Sequence, residues 1–127
     1  MEQVLEAEKL LFAIYEAHKL KIDICKEKIN PYVYLMRNRY GVPLYYSFRF
    51  TPVPYSEELE DDLISLKTAG HISFSSPITI ADKGLERIKE RIDQLSSLSK
   101  SIDKALEEMS GWDNKLLFQE VYNTATK

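Results

Sequence analysis

Cysteine is nearly missing from this 127-residue chain: Cys25 stands alone, so no disulfide framework is available, and one thiol fits a reducing cytosol. Glycine and proline are also scarce, at four and five residues, which excludes collagen-like and low-complexity structure. No run of about 18 apolar residues is present, so no membrane span is expected. No basic segment followed by an apolar stretch opens the chain, so no secretory signal is expected and the cytoplasm is the expected location. Histidine occurs only twice, at His18 and His71, far from each other and from Cys25 in metal-ligand spacing. What is present is ordinary globular material: 44% apolar and 29% charged residues. A chain this long buries roughly two-thirds of its unfolded surface, enough for a core without metals or cross-links.

Neither sign of charge dominates, but the two are unevenly placed. Seventeen Lys and Arg face twenty Asp and Glu, for a net charge of −3. Residues 18–49 concentrate base: Lys19, Lys21, Lys26, Lys28, Arg37, Arg39 and Arg49 stand against Asp23 and Glu27. Residues 57–62 read Glu-Glu-Leu-Glu-Asp-Asp. Two solvated faces of opposite sign account for this simply; a basic surface for an anion is the sharper alternative.

Apolar spacing organises the rest. Val4, Ala7, Leu11, Ile14 and His18 recur at threes and fours, with Leu5, Phe12 and Tyr15 widening the stripe, which predicts an amphipathic helix over 3–19. Leu20, Ile22 and Ile24 alternate with polar residues and read as a short strand. Asn30 is placed to cap a second helix with Pro31 at its first position, and Gly41 to end it. Leu44 to Phe50 is aromatic-rich and reads as a strand. Ser56 caps a third, acidic-started helix buried through Leu59, Leu63 and Leu66 and closed by Gly70. Ile72 and Phe74, then Ile78 and Ile80, form a hairpin, after which Asp82 caps a fourth helix. Leu85, Ile88, Ile92, Leu95, Ser99, Ile102, Leu106 and Met109 follow a 3-4-3-4-3-4-3 spacing, a heptad seam with one polar interruption. The seam belongs either to one helix over 83–110 or to two meeting near Ser99, where serines disfavour a helix interior. Leu117, Phe118, Val121, Tyr122 and Ala125 indicate a short last helix.

The predicted fold is mainly α with a small β-wing (α+β), in the element order of a winged helix-turn-helix domain over 1–96 with a C-terminal helical extension over 97–127. The residues from Arg49 to Leu59 (Arg-Phe-Thr-Pro-Val-Pro-Tyr-Ser-Glu-Glu-Leu), then Asp62-Leu63, Leu66, Gly70-His71-Ile72 and Ile78-Thr79-Ile80-Ala81-Asp82-Lys83-Gly84, resemble the signature of YwgA-like and Panacea antitoxin-type winged-helix families. Here Val53 stands where those families usually carry Gly. The resemblance covers about residues 5–95. It implies a toxin–antitoxin, phage-related or regulatory role and brings no catalytic residues with it.

Motifs for chemistry are missing. The four glycines are isolated, so no phosphate-cradling loop is expected. Cys25 reads as a small hydrophobe and His18 as a satisfied histidine on an apolar stripe. The 57–62 carboxylates lack calcium-loop spacing. No catalysis, cofactor, metal or small-molecule substrate is expected. The third helix presents five carboxylates where a reading helix meets DNA, and the hairpin has no Lys or Arg, so that surface suits a duplex badly. Candidate contacts for a protein partner, or for nucleic acid, are Lys26, Lys28, Tyr34, Arg37, Arg39 and Arg49, with Tyr34 and one of Tyr45 or Tyr46 expected at the surface. The seam residues Ile88, Ile92, Leu95, Ile102, Leu106 and Met109 are the candidate dimer contact. The expected function is therefore a non-enzymatic, antitoxin-like or regulatory adapter that binds protein as a homodimer. A DNA-binding regulator using the basic face around the second helix is the alternative.

Overall fold

A computed structural model describes residues 4–50 and 52–126. The order is α1 (Glu6–Leu20), α2 (Ile29–Asn38), β1 (Arg49–Phe50), β2 (Pro54–Tyr55), α3 (Glu57–Thr68), β3 (Ile72–Ser73), β4 (Thr79–Ile80), α4 (Asp82–Leu95), a 3-10 turn (Ser96–Leu98), α5 (Ser99–Met109) and α6 (Asn114–Ala125). The chain is mainly helical, with two small antiparallel pairs, β1 with β2 and β3 with β4. Arg49 registers with Tyr55 in the first and Ile72 with Ile80 in the second. No described helix is long and apolar enough to cross a membrane.

α1 is the axis of the core. It packs against α3, α4, α5 and β4, and a helix covered from several sides must be apolar well beyond one stripe. Accordingly Leu10, Leu11, Phe12, Ala13, Ile14 and Ala17 are all buried. Two charged residues of α1, Glu8 and Glu16, are buried with them. His18, expected on the apolar stripe, is instead exposed near the helix end. Lys21 follows in the left-handed region at φ 58 and ends the helix.

Several local expectations are corrected by tertiary contacts. Leu20 to Ile24 form no strand among the described residues; the burial alternates as the pattern requires, but the segment offers the β3–β4 hairpin a single backbone bond, Ile78 N–H to Ile24 O at 2.9 Å. Only Arg49–Phe50 of the 44–50 stretch pairs as strand. Asn30 is not the cap of α2 but lies inside it, buried, and its Oδ1 accepts the Ser56 N–H at 2.9 Å. That bond fixes the start of α3, where Ser56 Oγ in turn accepts the Leu59 N–H at 3.2 Å. Ala81 rather than Asp82 occupies the cap position of α4.

Gly84 has a steric role. A Cβ there would lie 2.3 Å from the His71 carbonyl oxygen and 2.8 Å from Ile80 Cγ1, so only glycine lets α4 sit this close to the hairpin. Gly70, at φ 80, makes the left-handed turn out of α3.

The heptad seam is used inside the chain. Ile88, Leu95, Ile102, Leu106 and Met109 are buried, and only Ile92 stays exposed. The helix is interrupted at Ser96–Leu98, and α4 and α5 both pack on α1. The sequence reading of these six residues as a dimer contact is therefore corrected: five are covered by their own chain. α5 also meets α2, where the buried Tyr32 hydroxyl donates to the Met109 carbonyl at 3.4 Å. α6 lies on α2 and buries Leu117 and Val121. The segment read as an extension thus contributes to the same core as α1 to α4.

Candidate functional site

The basic set read from the sequence is dispersed and largely engaged. Arg39 pairs with Glu120 of α6 and lies over the Trp112 ring at 5.2 Å. Arg49 pairs with Glu57. Lys26 sits over Phe74 at 4.9 Å, and Lys28 is half-buried at the start of α2. Arg37 stacks on Tyr45, whose ring also receives Lys9, each cation 4.7 Å from the centroid. Tyr45 is thus the exposed member of the Tyr45/Tyr46 pair. Tyr34 is not a surface contact, contrary to the sequence reading. It is buried, with Phe48 and Phe50 meeting its ring edge-on at 5.5 and 5.2 Å. A tyrosine on the inner face of α2 has to pack under the aromatic segment that crosses it.

The acidic start of α3 is not simply a solvated face. Glu58 accepts the Ser47 N–H at 2.8 Å, Asp62 accepts the Tyr46 hydroxyl at 2.6 Å, and Glu57 takes Arg49. Burial and the Asp62 bond push the Tyr46 phenol far above its ordinary pKa. These carboxylates hold the segment 46–49 along α3. The extended stretch needs such partners because little of it has a neighbouring strand.

That arrangement displays one apolar surface. Phe50 (46% exposed), Val53 (39%), Phe118 (40%) and Tyr122 (68%) surround a groove of about 290 Å³ between the β1–β2 ribbon and α6. Pro52 and Ala125 complete its walls. On α6 the stripe Phe118, Tyr122, Ala125 has i, i+4, i+7 spacing and runs one residue over from the buried Leu117 and Val121. The helix is therefore apolar on two sides, and its own chain covers one.

A second feature is a charged cleft of about 610 Å³ between the start of α1, His71 and α4. At its base Glu8 Oε2 accepts Arg91 Nε at 3.0 Å and Arg87 Nε at 3.4 Å, while its Oε1 accepts the Leu5 N–H at 3.0 Å. Burial pushes the Glu8 carboxyl up, but the backbone bond and the two guanidiniums outweigh it and hold the pKa below the usual value. Arg87 Nη1 lies 3.2 Å from His71 Nδ1. Burial, Arg87 and Lys83 lower the His71 pKa, which favours the neutral ring, whose Nδ1 can then accept from the guanidinium. The Arg87–Arg91 spacing is visible in the sequence; their buried carboxylate 79 and 83 residues away is not.

Comparison with known proteins finds no matching family model, no matching curated protein and no matching solved structure. The functional reading therefore rests on the surfaces just described.

Proposed function

We propose that the chain is a non-enzymatic interaction module that binds protein, with the winged-helix arrangement in α1 to β4 as its scaffold and an antitoxin-like or regulatory adapter as its role. The observation that carries the reading is the gathering of Phe50, Val53, Phe118 and Tyr122 at one groove. Scattered single hydrophobes need no partner, but a contiguous apolar patch on a small protein marks a contact surface. Tyrosine and phenylalanine there bring large contact area with few rotors to freeze.

Duplex DNA is the competing ligand. Phosphate binding requires cations free to displace counterions, whereas Arg39 and Arg49 already hold carboxylates of their own chain. The start of α3 is acidic and lies under the 46–49 segment. The test has two arms. Fluorescence anisotropy of random duplex DNA at about 50 mM salt should show no binding up to about 100 μM protein, the range of non-specific affinities. Selection of random peptides on sparsely immobilised protein should enrich apolar sequences whose binding is lost in a Phe118→Ser, Tyr122→Ser variant. Salt-sensitive DNA binding overturns the reading, and so does the absence of any groove-dependent contact, whether with a peptide or with a second copy of the chain.

A further inference from the structure

We infer that the protein covering the groove between the β1–β2 ribbon and α6 is a second copy of this chain. The inference rests on the protein-binding reading above and names its partner.

Three observations select a copy. The first is charge. The chain carries −3, so two copies repel wherever carboxylates meet. This face avoids that cost. From Leu116 to Ala125 the only charged side chain is Glu120, tied to Arg39. From Arg49 to Tyr55 it is Arg49, tied to Glu57. Among the described residues of these two segments an acidic or basic partner would find no countercharge that is not already paired, while an apolar face fits its own image.

The second is area. The fractional exposures of the four groove side chains leave roughly 350 Å² of apolar surface, since an aromatic side chain presents about 150–250 Å² when fully exposed. A stable interface buries about 800 Å² per partner, a little over half of it non-polar. The groove residues therefore supply most of the apolar half of a standard dimer contact.

The third is shape. A two-fold contact requires a surface that carries both a projection and a recess. Tyr122 is the most exposed of the large hydrophobes and stands on the rim of the recess that Phe50, Val53 and Phe118 line. A two-fold axis near α6 lets each copy's Tyr122 enter the other's groove. The dimer contact expected from the sequence thus moves from the heptad seam, which is buried, to the outer stripe of α6.

Sedimentation equilibrium from about 5 to about 200 μM at physiological salt tests this, a range that brackets micromolar association. The expected result is a mass rising with concentration from 14.8 kDa toward twice that value. Phe118→Ser with Tyr122→Ser should weaken association by about 30-fold or more, as truncating central aromatic contacts does. At a concentration where both proteins are monomers, the variant's circular dichroism spectrum and cooperative unfolding should match the parent's, which separates lost association from lost folding. Ile92→Ser, at an exposed apolar residue of α4, should leave association unchanged. A mass of 14.8 kDa throughout, or a dimer that survives the double substitution, overturns the inference. If the chain stays monomeric yet captures peptides through the groove, the self-partner fails and the protein-binding reading stands. If both assays are negative, both fall.

Discussion

Glu8 and Glu16 lie on the same helix, two turns apart, 3% and 1% exposed, and their surroundings ask opposite things of them. Glu8 receives two guanidiniums from α4 and a backbone N–H. It is held ionised. Glu16 faces Asp103 of α5, and its nearest cation is the Nζ of Lys19 at 3.4 Å. Glu16 Oε2 and Asp103 Oδ1 have no donor among the described residues unless one carboxyl is protonated. Burial, then the hydrogen bond to Asp103 and its charge, raise the Glu16 pKa to about 7. The two ends of α1 are therefore joined to their neighbours by different means. The α4 end uses an ion cluster, whereas at the α5 end two carboxyl groups face each other and can bond only when one carries a proton. Burial alone does not set the state of an acid; the sign of its partners does.

The largest effect should come from breaking the ion cluster. Glu8→Ala leaves Arg87 and Arg91, themselves mostly buried, with their shared carboxylate gone. Loss of one partner from a buried cluster costs about 3–5 kcal/mol, and the partial exposure of both arginines places this case near 3. Chemical denaturation at pH 7 measures it, and a loss below about 1 kcal/mol would show that water or other partners of the two arginines replace Glu8 adequately.

The next largest concerns Glu16 and is visible only against pH. A carboxyl whose folded pKa is raised stabilises the fold when protonated, and that contribution fades as pH rises from about 4.5 through about 7. Glu8 works in the other direction. Its lowered pKa gives stability above its unfolded value that is lost as pH falls. Taken together, these two acids favour the fold most near pH 5, while the lowered His71 pKa works the other way below about 6.5. Glu16→Gln keeps a donor toward Asp103 without needing a proton, so it should flatten the decline above pH 5 and gain roughly 2 kcal/mol at pH 8. At pH 5 it should change little. A variant curve parallel to the parent across this range would show that the pair does not share a proton.

The backbone plan of this molecule was legible in the sequence because its signals are local. Ser56 caps α3 from three residues away, Leu59, Leu63 and Leu66 mark its inner face, and Gly70 turns the chain beyond it. The break in the heptad pattern at Ser96–Leu98 falls among the serines that signalled it. What failed depended on distant partners. Asn30 had the residue type of a cap, yet Ser56, 26 residues away, takes its side chain. Tyr34 reads as exposed until Phe48 and Phe50 are laid over it. Glu8 and Glu16 look like the polar side of an amphipathic helix, because nothing in 3–19 says that α4 and α5 will close over that side. The outer stripe of α6 was present as Phe118, Tyr122 and Ala125, but it could not be separated from Leu117 and Val121 until α2 covered only one of the two.

A smaller effect sharpens the same comparison. Ser56→Ala removes the cap of α3 and should cost about 1 kcal/mol at every pH, since neither partner titrates. Against that flat loss, the pH-dependent changes at Glu8 and Glu16 stand out as electrostatic rather than general destabilisation.

The smallest prediction isolates Lys19, whose Nζ lies 3.4 Å from Glu16. Lys19 is about half exposed, so its attraction for the carboxylate is screened by water and worth only a few tenths of a kcal/mol. Its direction is nevertheless fixed. Lys19 lowers the Glu16 pKa against burial and Asp103, which raise it. Removing the ammonium in Lys19→Ala should move the midpoint of the pH-dependent decline upward. At pH 5, where Glu16 is mostly neutral, only the small contribution of the Lys19–Tyr15 ring contact should be lost. At pH 8, where the carboxylate has lost the Lys19 countercharge, a further loss of about 0.3–0.5 kcal/mol should appear. The same substitution in a Glu16→Gln background should show no pH dependence, because only the contact of Lys19 with the Tyr15 ring, 5.2 Å from its centroid, is then lost. An equal loss in both backgrounds would assign the effect to helix propensity or packing, and burial with Asp103 would then control the proton at that end of α1.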